Sequence, residues 1–216
     1  MYQLDTTAAR ESDNFGGYLN ETGKYTGKFI RAEVLVSKNK GTHGIGFTFE
    51  ADNKQTTRFD IWTMKPDGEH LQGFKALQAI MTVLRLRGIQ PAQGTVDRYN
   101  YDTKATEKVQ SQVFPDLTGK PIGLVLRNTE YAKVRDGRET GETGWRLELV
   151  APFDTNEFTA SEILDKKTKP EKLANLVAML QDKPLKSRPL APSDNYAPAH
   201  HASSGFDDMD DNSIPF

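Results

Sequence analysis

One stretch of the sequence decides the fold: residues 29–63, which read FIRAEVLVSKNKGTHGIGFTFEADNKQTTRFDIWT. Apolar and polar residues alternate in three runs within it: 29–36, 44–50 and 57–63. Alternation with a period of two is typical of strands that bury one face. A basic turn at 37–42 and a second turn at 52–54 separate the runs. The stretch therefore predicts three antiparallel strands in a meander.

The same alternation predicts which side chains of these strands face the core. The apolar face of the first run comprises Ile30, Ala32, Val34 and Val36. Phe29 and Arg31 are then expected on the outer face, because successive side chains of a strand point to opposite sides. The third run places Arg58 and Trp62 outside by the same argument, because Phe59 and Ile61, which lie between them in the sequence, fill the inner positions.

A helix and two more strands are predicted after the meander. Residues 71–84 repeat at the helical period, with an apolar stripe of Leu71, Phe74, Leu77, Met81 and Leu84. Residues 121–127, extending toward Val134, predict a fourth strand, and 145–150 predict a fifth, with a flexible charged loop at 135–144 between them. This order is that of an OB-fold, a five-stranded Greek-key barrel with a helix between strands 3 and 4. A small β-sandwich or an SH3-like barrel would also accommodate most of the pattern.

The chain divides into three parts by composition. Residues 1–183 are expected to form one mainly β domain, with an irregular arm at its start and short helices near its end. Within it, 89–118 is polar, and a short helix around 103–113 is one interpretation. Residues 184–206 are dominated by Pro, Ser, Ala, Asn and His, which predicts a disordered linker. Residues 207–216 form an acidic tip.

Two short helices are predicted after the last strand. Thr159-Ala160-Ser161-Glu162 has the residue types and spacing of a capping box at a helix start. Residues 170–180 begin with proline and carry an apolar stripe, as expected of a helix that packs on the barrel.

Composition excludes several classes of protein. The 216 residues include no cysteine, so disulfides and thiolate metal sites are excluded. No apolar run approaches the roughly twenty residues of a membrane span, and the start lacks a signal-peptide pattern, so a cytoplasmic protein is expected. Charge is unevenly placed: residues 24–150 hold 20 Lys and Arg against 15 Asp and Glu, whereas 207–216 hold 4 Asp and no base. A basic body with an acidic tail is typical of a nucleic-acid binder with an interaction tail.

A search for catalytic chemistry finds no candidate residues. The two Gly-Lys pairs near plausible loops, at 23–24 and 119–120, lack the upstream glycine and the following Ser or Thr of a phosphate loop. The 4 histidines lie in turns and in the linker and form no metal-binding pair. We therefore predict a protein that is not an enzyme and that needs no metal or cofactor.

The residues that favour binding are cations and aromatics on one predicted face and in its flanking loops. Single-stranded DNA is held without sequence preference by cations along its phosphates and by aromatic rings that stack on its bases. The candidate DNA-binding residues are Phe29, Arg31, Lys38, Lys40, Arg58, Trp62, Tyr131, Lys133, Arg135 and Arg138. Trp62, Tyr131 and Trp145 are equally compatible with a place in the core.

The tip, residues 207–216, reads DDMDDNSIPF and combines four carboxylates with a terminal Ile-Pro-Phe. Such a segment can place its last aromatic ring in an apolar pocket while its carboxylates meet a basic rim. The run resembles the C-terminal tip of bacterial single-stranded DNA-binding proteins. In the body, Gly23-Lys24-Tyr25 and Gly44-Ile45-Gly46-Phe47 are similar to phage-encoded DNA-binding proteins.

The resemblance implies a protein that coats single strands during replication, recombination and repair. It also implies that the tip docks a polymerase, helicase, primase or nuclease. The tip residues carried over as the partner site are Asp207, Asp208, Asp210, Asp211, Ile214, Pro215 and Phe216. The segment 89–118 and the C-terminal helices have no place in the shorter bacterial core, so a monomer and a homodimer are equally open. An annealing or recombination mediator is the alternative function, followed by a nuclease or its regulator.

Overall fold

The computed structural model describes residues 17–100, 102–135 and 138–186, together with Leu4 and Thr6. The acidic tip and all of the predicted linker beyond residue 186 lie outside the described residues. The strands are β1 (Gly17–Tyr18), β2 (Gly23–Val36), β3 (His43–Ala51), β4 (Gln55–Met64), β5 (Ala92–Asn100), β6 (Ala105–Val113), β7 (Pro121–Arg135) and β8 (Arg138–Phe153). The helices are α1 (Gln72–Val83), α2 (Ala160–Leu164) and α3 (Lys172–Ala178), with a 3₁₀ turn at Pro115–Leu117.

The eight strands of the described residues form one curled, open sheet. Its path runs β1-β4-β3-β2-β6-β5, and β7 joins it by pairing with β2 on one side and β8 on the other. The predicted meander corresponds to β2, β3 and β4, which pair antiparallel in that order. The mainly β class is thereby confirmed, but the described part of the chain has eight strands where the sequence predicted five.

A β-bulge in β2 overturns part of the predicted side-chain placement. The register passes from Phe29 opposite Phe49 to Arg31 opposite Thr48, so Ile30 is an extra residue without a partner. An extra residue reverses the alternation on its N-terminal side. Phe29, expected outside, is therefore fully buried, and Ile30, expected inside, is 47% exposed. Beyond the bulge Ala32 is buried as predicted, although Val36 at the strand end is exposed.

The core is built around four phenylalanine rings. The ring of Phe29 lies 4.6 Å from that of Phe47, 5.9 Å from Phe49 and 6.3 Å from Phe59, measured between centroids. Helix α1, which confirms the predicted helix at 71–84, packs against β4 and β8 and adds its buried residues to the core. Its buried stripe is Gly73, Ala76, Leu77, Ile80 and Val83. This stripe is rotated from the predicted one: Leu77, and Leu84 just after the helix, are buried as predicted, whereas Leu71, Phe74 and Met81 are only partly buried.

The polar segment 89–118 is a β-ribbon, so the interpretation of a helix around 103–113 is wrong. Strands β5 and β6 pair without interruption from Ala92 opposite Val113 to Asn100 opposite Ala105. The ribbon joins the sheet where Val113 pairs with Glu33 of β2. Because the pairing is local and most of its side chains are exposed, the sequence shows little apolar alternation here.

A second ribbon replaces the predicted loop at 135–144. Strands β7 and β8 stay paired almost to the turn, where Arg135 lies opposite Arg138, so the extension of the fourth strand is confirmed and the loop prediction is wrong. Lys133 and Glu142 form an ion pair across this ribbon at 3.0 Å. The charges that suggested a flexible loop are side chains of paired strands instead.

The capping box predicted at α2 is confirmed. The Glu162 carboxylate accepts hydrogen bonds from the backbone N–H of Thr159 at 2.9 Å and from the N–H groups of Glu171 and Lys172 at 2.7 and 2.9 Å. Burial alone would raise the pKa of Glu162, but these bonds lower it to about 2. One carboxylate therefore ties the start of α2 to the start of α3. Among the described helices, none is long and apolar enough to cross a membrane.

Candidate nucleic-acid interface

Strand β4 presents Arg58, Asp60 and Trp62 on the face that points away from the core. Phe59 and Ile61, which alternate with them, are buried. Arg58 and Trp62 are thus on the outer face as the sequence predicts, and Asp60 lies between them. The three side chains are an arginine, a carboxylate and an indole at successive outer positions of one strand.

Cross-strand pairing extends this face over β3 and β2. Arg58 lies opposite Thr48, which in turn lies opposite Arg31, so the two arginines belong to one row across the sheet. Trp62 lies opposite Gly44. A Cβ on Gly44 would lie 2.9 Å from Cε3 of Trp62, so the glycine allows the indole to rest on the middle strand. Small residues on β3 therefore form a floor between side chains of β2 and β4.

Two neighbouring cavities lie on this face, each of about 350 Å³. The ribbon cavity lies between the meander and the β5–β6 ribbon, and its lining includes Arg31, Arg58 and Thr95. The seam cavity lies between β4 and β8, and its lining includes Arg58, Trp62 and Arg146. Because Arg58 lines both, the two cavities adjoin at this residue, and we refer to the pair as the groove.

A buried carboxylate fixes one wall of this groove. Glu33 is fully buried and accepts hydrogen bonds from Arg31 on its own strand, from Arg98 of β5 and from Ser111 of β6. Burial alone would raise the pKa of Glu33, but the bonds from Ser111, Arg98 and Arg31 hold it below its ordinary value. Glu33 therefore holds Arg31 at the groove and attaches the β5–β6 ribbon beside it.

The opposite wall carries Arg146 of β8. Its guanidinium donates to Glu148 at 2.9 and 3.1 Å and lies 5.4 Å from the ring centroid of Tyr131. Glu148 also accepts a hydrogen bond from Thr129 at 3.0 Å. Arg146 was not among the residues predicted from the sequence. The signal that could have found it is the alternation of β8, which places Arg146 on the other face of the strand from the buried Leu147.

The outer residues of β4 lack the partners that the walls possess. Among the described residues, none forms a hydrogen bond or ion pair with the side chains of Arg58, Asp60 or Trp62. Burial raises the pKa of Asp60 above its ordinary value; Arg31 and Arg146 act against this rise, and Glu33 adds to it. A cation, an anion and an aromatic ring are thus available to a ligand along one strand.

The remaining predicted DNA-binding residues are spread more widely. Phe29 is a core residue, and the expectation that it lies on the outer face is wrong because of the bulge. Lys38 and Lys40 are exposed in the turn between β2 and β3, and neither lines the two cavities. Tyr131 is half-buried and reaches the groove through Arg146.

The other three predicted residues lie along the β7–β8 ribbon, toward the turn that joins its two strands. They are Lys133, Arg135 and Arg138, all exposed. Lys133 is held by the ion pair with Glu142. The structure therefore brings Arg31, Arg58 and Trp62 together at one groove, and Tyr131 joins them through its contact with Arg146. The three basic residues lie apart from the groove, along the β7–β8 ribbon.

The partner site predicted at the tip, Asp207 to Phe216, lies outside the described residues. Within the described ranges, no group of three or more His, Cys, Asp or Glu side chains is placed to hold a metal ion.

No model of a known protein family matches the chain, and no curated protein matches it either.

Proposed function

We propose that the chain binds single-stranded DNA along the groove formed by the ribbon cavity and the seam cavity. The observation that carries the proposal is the row Arg58, Asp60 and Trp62 on β4, whose side chains have no hydrogen-bond or ion-pair partner among the described residues. All three line the seam cavity, and Arg58 also lines the ribbon cavity. Arg58 would neutralise a phosphate, and Trp62 would stack on a base. The walls add Arg31 and Arg146, which are already held in place by Glu33 and Glu148.

The proposal includes the finer fold assignment. Five of the strands, on the path β4-β3-β2-β7-β8, have the order of an OB-fold when β1 and the β5–β6 ribbon are counted as additions. In this assignment α1 lies between the third and fourth strands, and the seam between β4 and β8 is the open side of the barrel. Such a groove binds single-stranded DNA through base stacking and phosphate contacts, and it therefore tolerates any nucleotide sequence.

The first prediction is that Trp62→Ala and Arg58→Ala each weaken binding to fluorescent oligo(dT). Loss of the stacking ring should reduce affinity roughly fivefold or more, because one base–aromatic stack contributes about 1–3 kcal/mol. Loss of Arg58 should make the salt dependence shallower by about 0.7, the share of one phosphate contact on a single strand. Fluorescence anisotropy over a salt series measures both quantities.

The controls are matched in chemistry but lie away from the groove. Arg87→Ala removes an exposed arginine beyond α1, and Tyr18→Ala removes an exposed ring on β1. Both should leave oligo(dT) affinity within about twofold. Duplex DNA bound as tightly as oligo(dT) at the same salt concentration would contradict the proposal.

The proposal assigns protein recruitment to the tip. The resemblance of residues 207–216 to the bacterial tip supports a role in DNA replication, recombination and repair. The similarity of 23–25 and 44–47 to phage-encoded DNA-binding proteins supports a phage protein that acts in the host cytoplasm. Deleting Phe216 should leave oligo(dT) affinity unchanged, because the tip is acidic and would contact protein and not DNA. The same deletion should abolish capture of a polymerase, helicase, primase or nuclease from bacterial lysate, identified by mass spectrometry. A clear loss of DNA affinity on deletion would assign the tip to the DNA site instead.

A further inference from the structure

Asp60 is an anion in a groove that the proposed function assigns to a polyanion. It lies at the centre of the outer face of β4, between Arg58 and Trp62, and lines the seam cavity. A carboxylate there repels phosphates, so charge attraction to DNA does not account for it. The following inference rests on the proposed function and deepens it.

The neighbouring carboxylates differ from Asp60 in their hydrogen bonding. Glu33 accepts from three side chains, and Glu148 accepts from Arg146 and Thr129. Both carboxylates therefore accept hydrogen bonds from side chains in the two walls of the groove. Asp60 accepts no hydrogen bond from any described residue, although Arg31 and Arg146 lie close enough to influence it electrostatically. Its two oxygens are therefore available as acceptors inside the groove.

The ligand that suits two free carboxylate oxygens is a pair of adjacent N–H donors. The Watson–Crick edge of guanine offers this pair, at N1 and at the exocyclic N2, and a carboxylate can accept both at once. Thymine flanks its single N–H with two carbonyl oxygens. Adenine and cytosine place a ring-nitrogen acceptor beside their amino group. Of the four bases, guanine alone offers two neighbouring donors on this edge, and its O6 acceptor lies beside N1 on the side away from N2.

The seam cavity has the size and lining for one unstacked base. Its volume of about 350 Å³ falls in the range of small-molecule sites. Trp62 supplies a ring, and the small or apolar residues Gly73, Ala76, Leu147 and Leu149 complete the lining. Single-stranded recognition commonly combines a stacked base with hydrogen bonds to its Watson–Crick edge.

We propose that Asp60 accepts two hydrogen bonds from the Watson–Crick edge of a guanine base that occupies the seam cavity against Trp62. Binding to single strands then remains tolerant of sequence along most of the groove. At this one position it favours guanine.

The test compares oligo(dT) with the same oligonucleotide carrying isolated guanines, too sparse to fold into quadruplexes. Guanine should tighten binding about fivefold or more, the lower end of what a bidentate base contact discriminates. Inosine, which lacks the N2 amino group, should lose most of this gain. 7-Deazaguanine, which keeps the Watson–Crick edge intact, should retain it.

The variant that tests the residue is Asp60→Asn. It should bind oligo(dT) more tightly than the native protein, because a negative charge has left the groove, and it should lose the preference for guanine. Asp67→Asn makes the same charge change in the turn after β4 and should keep the preference. Native protein that binds oligo(dT) but gains nothing from guanine overturns this inference alone. Native protein that fails to bind oligo(dT) overturns the proposed function as well.

Discussion

Replacing Phe29 by alanine is expected to lower the free energy of unfolding by about 3–5 kcal/mol, the range measured for buried Phe→Ala changes. The ring is fully buried and contacts Phe47, Phe49 and Phe59 at the centre of the core. Its removal would leave a cavity that three other rings cannot close without leaving their rotamers. Urea denaturation at fixed protein concentration measures the loss.

The same variant separates a core role from the DNA-stacking role that the sequence predicted for Phe29. A core residue affects DNA binding only through the fraction of folded protein, so the oligo(dT) affinity of the folded variant should be unchanged. Tyr18→Ala is the matched control, because that ring is 73% exposed and its loss should change stability by less than about 0.5 kcal/mol. Normal stability with reduced DNA affinity in the Phe29 variant would place the ring at the surface and refute the bulge.

Replacing Glu33 by alanine is expected to lower the free energy of unfolding by about 3 kcal/mol. Removing one member of a buried ion pair usually costs about 3–5 kcal/mol, and here the lower end applies because Arg98 is about half exposed and can turn to solvent. The β5–β6 ribbon loses two of the bonds that hold it to β2, those of Arg98 and Ser111. Amide hydrogen exchange in β5 and β6 should therefore accelerate along with the loss of global stability.

The Glu33 contribution should also depend on pH. Because the folded pKa of Glu33 lies below its ordinary value, the carboxylate stabilises the fold above that ordinary value and loses the contribution as pH falls through the folded pKa. The difference in unfolding free energy between the native protein and Glu33→Gln should accordingly narrow in acid. Glu142→Gln is the control, since its ion pair with Lys133 is exposed and contributes at most about 1 kcal/mol. An equal effect of the two substitutions would show that the Glu33 network does not hold the ribbon.

The meander could be predicted because each of its strands buries one face and exposes the other. Phe59 and Ile61 alternate with Arg58 and Trp62, so burial and sequence period agree in β4. The bulge in β2 could not be predicted in the same way. One inserted residue changes which face every earlier residue occupies, and the sequence around Ile30 alternates equally well in either phase.

The β5–β6 ribbon and the start of β8 escaped prediction for a different reason. Their strands are stabilised by pairing with each other, and most of their side chains lie in solvent, so no apolar face records the strand period. Glu33 shows the same limit at the level of one residue. A glutamate at an outer strand position suggests a solvated charge, and only the distant Arg98 and Ser111 make it a buried one.

Part of the groove could be predicted from the sequence because it depends only on which residues of one β-strand lie on its outer face. Arg31, Arg58 and Trp62 follow from two-residue spacing alone. Asp60 was not predicted because its negative charge does not suggest a contact with DNA phosphates. Arg146 was not predicted because the apolar residues around it suggest a core strand and not a binding surface. The seam cavity depends on how β4 approaches β8, which is a tertiary relation that no local pattern records.

The chain contains two tryptophans, and the fold places them in different surroundings. Trp62 rests half-buried on Gly44 in the groove, whereas Trp145 is 48% exposed on the β7–β8 ribbon. Indole emission shifts with local polarity and is quenched by stacking. The protein therefore carries an intrinsic fluorophore at each of these two regions. With two variants that each keep one tryptophan, a stopped-flow experiment could time the arrival of single-stranded DNA at the groove and at the β7–β8 ribbon separately. No attached dye would be needed.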